Sequence, residues 1–219
     1  MMELDVQTWV KVAAFTGGGI AMGLGAVGAA IGEGYTAAMA NLAVSRSPNN
    51  SGDIFKNMLV GQAVAESASI FALVVSILLL FMDKGDPNML KAAALFGAGV
   101  SMGFGAVGSG VGSGFPGGQA CLGISRQPAM ASRITTNMLI GSAVCQTPAL
   151  FSMVVALMLL FMDFSNAPLH PTWAALVGAG LSTGLAAIGS GYGGGMAAGT
   201  SCEGVARQPE TVGNVTTIM

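Results

Sequence analysis

Apolar and polar positions fall into long blocks along this chain. Two blocks, at about 58–82 and 138–162, are almost continuous runs of Leu, Val, Ile, Met and Ala. Each is about 25 residues long, enough for a helix to cross a hydrocarbon core of ~30 Å. Three further blocks, at about 10–44, 90–124 and 173–205, are rich in Gly, Ala and Ser; their charges are Glu33, Glu203 and the flanking Lys11 and Lys91. In water so many glycines would oppose a helix, at about 1 kcal/mol each relative to Ala. Inside a membrane every backbone group must be satisfied within its segment, so a helix is still expected. The glycines then let neighbouring helices approach closely.

The blocks repeat. The stretch 61–67, Gly-Gln-Ala-Val-Ala-Glu-Ser, realigns with 141–147, Gly-Ser-Ala-Val-Cys-Gln-Thr, at an offset of 80. Arg46-Ser47-Pro48 returns as Arg126-Gln127-Pro128 and, at an offset of 81, as Arg207-Gln208-Pro209. A unit of about 80 residues therefore occurs two and a half times, which predicts an all-α membrane protein of tandem transmembrane helical hairpins. Residues 1–85 form a first hairpin, 86–166 a second, and 167–219 a third that lacks its second helix or is truncated. Thr216, Thr217 and Met219 match Thr135, Thr136 and Met138, so the sequence stops where a sixth segment would begin, and a fragment is expected. Glycines at 108, 110, 112 and 114 put 108 and 112 on one helix face and 110 and 114 on another, about 160° away. Two small-residue grooves on one helix suit a closed ring of tightly packed inner helices.

Composition narrows the functions. Charged residues are 8% and apolar types 53% of the 219 residues, and mean hydropathy is +0.70. That excludes disorder. Eight Lys plus Arg against ten Asp plus Glu leave no basic excess for nucleic acid. Cys121, Cys145 and Cys202 are far apart in apolar or small-residue runs and read as small buried hydrophobes. The single histidine, His170, is expected in a loop beside Pro171, which leaves no His-based metal site. The acidic N-terminus does not read as a signal peptide. Arg46, Lys56, Arg126, Arg133 and Arg207 lie on one side of the expected membrane. Lys11, Lys84 and Lys91 lie on the other, diluted by Glu3, Asp5, Asp83, Asp86 and Asp163. The positive-inside rule places the Arg-bearing loops in the cytoplasm.

Two carboxylates, Glu33 and Glu66, lie well inside apolar segments. Burying an ionised acid at mid-bilayer costs at least ~2.5 kcal/mol, so each is a functional candidate. A hairpin folded at the Pro48-Asn49-Asn50-Ser51 turn brings both to one depth, about 16 residues from the turn. Two acids there must share a proton or bind a cation. The Ser67 hydroxyl supplies a ligand or donor, or bonds back to its own helix. These are hard oxygen donors, suited to an alkali cation or a proton. In the second hairpin Gln146 replaces Glu66 and Ser113 replaces Glu33, so that hairpin has no ionisable group. A glycine-zipper channel or small transporter lined by Glu33 and Glu66 is an alternative, as is a purely structural oligomer, but neither accounts for the Arg-Gln-Pro loops.

A Gly-rich helix, an Arg-Gln-Pro loop and a second helix with Glu66 in an Ala-Val-Ala-Glu-Ser context resemble the c subunit (proteolipid) of rotary ATP synthases. The resemblance covers nearly the whole chain. It implies that the hairpins form part of a membrane rotor ring, non-catalytic in itself, with Glu66 as the ion-carrying carboxylate. It implies Na+ or H+ as the carried ion, with Glu33, Ser67 and the Val64 carbonyl as further ligands of Na+, and no cofactor. Ala68 and Phe71 stand where sodium-type members often have Thr and Tyr. The implied stalk-contact positions are Arg46, Arg126, Gln127, Pro128, Arg207, Gln208 and Pro209. The implied partners are other c-ring subunits, a stationary a subunit bearing an Arg, the central stalk subunits and membrane lipid. Fusion of hairpins is similar to vacuolar-type and archaeal-type proteolipids, whereas the Arg-Gln-Pro loops resemble the synthase type.

Overall fold

A computed structural model describes residues 5–82, 85, 87–164 and 169–219. The charges at Glu3, Asp83, Lys84 and Asp86 lie outside the described residues. Six helices run in chain order: α1 (Val6–Arg46), α2 (Ser51–Phe81), α3 (Met89–Arg126), α4 (Ala131–Phe161), α5 (Leu169–Arg207) and α6 (Val212–Ile218). No strand occurs among the described residues. Three short 3₁₀ turns, Pro48–Asn50, Pro128–Met130 and Pro209–Thr211, join the helices in pairs. The proline dictates each break. A residue before proline is pushed out of the helical region. Ser47, Gln127 and Gln208 accordingly have φ of −141°, −138° and −136°. The chain then re-enters a helix within one turn, running back along the first.

The helices extend past the apolar blocks. α2 and α4 begin at Ser51 and Ala131, seven residues ahead of the blocks at 58 and 138. Hydropathy marks the part suited to hydrocarbon, and the helix continues into the polar turn region beyond it. His170 and Pro171 are not in a loop, as expected from the sequence, but in the first turn of α5. Proline is tolerated there because the first-turn N–H groups have no intrahelical acceptor. At the opposite end from the 3₁₀ turns, the Asn88 side chain accepts from Leu90 N at 2.9 Å and so caps α3. Lys91 Nζ donates to the Leu160 carbonyl near the end of α4 at 2.5 Å.

α1, α3 and α5 form one row, with α3 in the middle, and α2 and α4 lie outside it. The apolar stretch of α3 is 72% buried, against 28–39% in the other long helices. The two faces expected of α3 are both used. Gly108 and Gly112 meet Ala187, Ile188 and Gly191 of α5, while Gly110 and Gly114 meet Gly28, Ala29 and Gly32 of α1. A Cβ at Gly110 would stand 2.7 Å from the Ala29 nitrogen, closer than real contacts allow. The thiols of Cys121, Cys145 and Cys202 are free and buried. Apolar packing divides into two cores, one around Leu79, Leu95, Met102 and Leu160, the other around Ile54, Ile124, Ile134 and Met138. A layer of small and polar residues separates them. Outward, large side chains such as Phe15, Ile31, Ile70, Phe151 and Phe161 are exposed. Among the described residues, five helices are long and apolar enough to cross a membrane. The chain is an integral, multi-pass membrane protein.

Candidate ion-binding site

The layer between the two cores holds the polar chemistry. Gln146 of α4 points into the junction of α2, α3 and α4. Its Nε2 donates to the Val64 carbonyl of α2 at 2.8 Å and to Ser113 Oγ of α3 at 2.7 Å. Ser113 Oγ donates in turn to the Ser109 carbonyl at 2.8 Å. The Val64 carbonyl also accepts from Ser67 Oγ at 2.7 Å, so the Ser67 hydroxyl bonds within its own helix. Gln146 Oε1 is buried with no hydrogen-bond partner.

Glu66 and Glu33 are the repeat counterparts of Gln146 and Ser113, one hairpin earlier. The Ser113–Gln146 contact shows that these two positions meet at one depth. Glu33 is half-buried and Glu66 exposed. Gln62 Nε2 donates to the Glu33 backbone carbonyl at 3.4 Å and ties α2 to α1 at this level. Neither acid takes part in an ion pair among the described residues.

The four atoms singled out from the sequence therefore divide. Glu33 of α1 and Glu66 of α2 both belong to the first hairpin, with Glu66 exposed and Glu33 half-buried. The Val64 carbonyl thus takes part in the contact between the first and second hairpins. No group of three or more His, Cys, Asp or Glu comes together among the described residues.

The turn positions share one end of the molecule. Gln127 and Gln208 end their helices with N–H groups donating to the Gly123 and Gly204 carbonyls, both at 2.9 Å. Arg46 lies in the last turn of α1. Arg126 and Arg207 converge on one oxygen of Glu203, at 3.2 and 2.6 Å. That clasp joins α3 to α5, and the sequence reading did not anticipate it. Thr36 was also missed: its buried hydroxyl lies 3.0 Å from the Gly32 carbonyl and 3.2 Å from that of Gly114. So were Asn57 and Asn137, each 2% exposed. Their spacing of 80 residues was the available signal.

Tandem helical hairpins bearing carboxylates within their spanning helices define a multi-pass membrane proteolipid. The chain belongs to the ATP synthase C-subunit family, whose profile matches residues 16–79, 96–159 and 177–219, once in each repeat. It is 30% identical over 197 residues to the A-type ATP synthase subunit K of Methanocaldococcus jannaschii, an alignment covering 90% of this chain and 83% of that one. It is 45% identical over 80 residues to the ATP synthase c subunit of Natranaerobius thermophilus, covering 36% of this chain and 92% of that one. The ATP synthase c subunit of Petrotoga mobilis is 52% identical over 68 residues, covering 31% of this chain and 71% of that one.

Proposed function

We propose that this chain is a subunit of the membrane rotor ring of a rotary ATP synthase or ion-transporting ATPase, and that it carries Na+ or H+ on Glu66. The observation that carries the reading is the contrast between two equivalent positions. Glu66 is exposed and Glu33 half-buried on the first hairpin. Their counterparts are held by hydrogen bonds: Ser113 is buried and Gln146 half-buried, with an amide N–H₂ donating to oxygens on two helices. One position can gain and lose a charge; the other cannot.

The physics follows from burial cost. An ionised carboxylate facing hydrocarbon is expensive, and a bound ion removes that cost. Glu66 therefore crosses the lipid-facing arc only when loaded. A stationary a subunit offering a fixed cation would favour the unloaded anion and permit exchange. Glu33, protonated, donates to Glu66. The neighbouring hairpin's counterparts of the Val64 carbonyl and the Ser67 hydroxyl supply further oxygens, and this oxygen-rich set favours Na+. The subunit itself is non-catalytic: loaded sites drive rotation, and rotation is coupled to ATP elsewhere in the complex. Residues 1–85 form the ion-carrying hairpin, 86–166 a hairpin without a carboxylate at the matching positions, and 167–219 the start of a third. The Arg-bearing turns face the cytoplasm and meet the central stalk.

The test is carbodiimide modification of the membrane-embedded protein, with and without sodium. Glu66 is expected to be the labelled residue, and millimolar sodium at neutral pH is expected to slow the reaction. Labelling without sodium protection would assign the proton as the carried ion. No labelling at Glu66 would overturn the assignment.

A further inference from the structure

The three turns do not carry the same charge. Over equivalent stretches, 42–56 holds Arg46, Lys56 and Asp53, 122–136 holds Arg126 and Arg133, and 203–217 holds Arg207 with Glu203 and Glu210. The first two turns are net cationic and the third is net anionic. By the repeat offsets, Glu203 stands where the earlier turns have Leu42 and Leu122, Glu210 where they have Asn49 and Ala129, and Asn214 where the second has Arg133. Arg46, Arg126 and Arg207 each lie in the last turn of their helix. The first two turns are joined side by side. Asn57 Oδ1 of α2 accepts from Thr135 Oγ1 of α4 at 2.9 Å, and its Nδ2 donates to Cys121 Sγ of α3 at 3.3 Å.

Pairing sharpens the difference. Glu203 holds Arg126 and Arg207 on one oxygen. Lys56 pairs with Asp53 of its own helix at 3.8 Å. Among the described residues Arg46 and Arg133 make no ion pair, and both are exposed. The Glu203 clasp adds little stability, because exposed ion pairs contribute little and glycine packing already holds α3 to α5. Its larger effect is on what the turn end offers a partner. A guanidinium presents a fork of donors that matches a carboxylate. That fork is free on Arg46 and Arg133. On Arg207 it is engaged, three residues before the exposed Glu210.

We propose that the turn end is a graded docking surface: an acidic segment of the partner protein seats on the first two turns, through Arg46 and Arg133, and Glu203 and Glu210 exclude it from the third. The inference rests on the reading above that these turns meet the central stalk, and adds which of them do so. Opposite charges meet at the first two turns, whereas at the third the partner's carboxylates face carboxylates. At physiological salt such forces act over about 8 Å, close to one interhelical distance, so successive turns are told apart. The seats for the partner therefore recur once per chain, not once per hairpin. Glu203 and Glu210 set that spacing, and the chain gains it without any change in how its helices pack.

The test places a photoactivatable maleimide on Ser47→Cys, Gln127→Cys or Gln208→Cys, three equivalent turn positions, in the full-length chain within its purified ATPase complex. The native thiols are buried and react little. Cross-links to stalk subunits are expected from positions 47 and 127 at about threefold or more the yield from 208. Glu203→Gln with Glu210→Gln is expected to bring position 208 to within about twofold of the others. Arg46→Gln with Arg133→Gln is expected to lower the salt concentration that releases the stalk. Equal yields from all three turns, or an unchanged pattern once both glutamates are replaced, would overturn the proposal and leave the stalk reading standing. Stalk cross-links from no turn would overturn the stalk reading, and the proposal with it. Products with lipid alone would assign the free cations to phosphate headgroups and overturn both.

Discussion

Gln146→Glu should turn the enclosed position into a second carrier site. In the parent, the Gln146 amide donates two hydrogen bonds, at 2.8 Å to the Val64 carbonyl and 2.7 Å to Ser113 Oγ. Each contributes about 1 kcal/mol, so a bare carboxylate loses about 2 kcal/mol from the missing donors. Placing the anion inside a spanning helix adds at least ~2.5 kcal/mol. The ion-free anion is thus disfavoured by about 4–5 kcal/mol against the parent amide. A proton or Na+ between the introduced carboxyl and those same oxygens relieves most of it, because the cation takes the place of the amide hydrogens. The assay counts carbodiimide-labelled sites per chain in the intact ring by mass spectrometry. One label in the parent should become two, the second should be protected by sodium as is expected of Glu66, and it should persist with Glu66→Gln added. A variant that assembles with a single label at Glu66 would refute the equivalence of the two positions.

Other outcomes follow from the same geometry. Glu66→Gln should abolish ion-coupled transport while the ring still assembles, measured as ion-driven ATP synthesis in vesicles; full synthesis would remove Glu66 from the mechanism. Asn57→Leu should destabilise the assembly by roughly 1–3 kcal/mol by stranding its buried partners, read as a lower temperature of ring dissociation, and added Thr135→Val should recover part of the loss. Gly112→Ala places a methyl carbon 2.7 Å from the Gly191 carbonyl carbon and should cost about 1–3 kcal/mol in the same measurement. Glu203→Gln should change it by less than about 1 kcal/mol, because Arg207 is 69% exposed.

Much of the fold was legible because glycine spacing and block hydropathy are local signals. The alternation of glycines along 108–114 put a close-packing groove on each side of α3 in advance. The prolines at 48, 128 and 209 fixed where each helix breaks. The site was only half legible. Residue type shows that Glu33 and Glu66 belong together, since both are acids in apolar surroundings. It does not show which way a backbone carbonyl faces, because that depends on the helix packed beside it; the Val64 carbonyl accepts from Gln146 of the next hairpin as well as from Ser67 of its own helix. Glu203 gave no hint of its clasp, because Arg126 is 77 residues away and comes close only through the α3–α5 packing. His170 was placed in a loop beside Pro171, whereas proline is tolerated in the first turn of a helix, where the chain has already entered α5.

The row of α1, α3 and α5 has a geometric consequence. Glycine facing backbone brings these three helices into direct contact, whereas α2 and α4 carry Leu, Ile, Phe and Met at the corresponding radius. Each helix pair is therefore narrow on one side and broad on the other, like a stone cut for an arch. The taper sets the angle between successive pairs, and that angle sets how many fit around a circle. Side-chain volume along the narrow edge thus acts as a dial on circumference. Every added methyl there widens the narrow edge relative to the broad one, reduces the taper, and moves the assembly toward a larger and flatter circle.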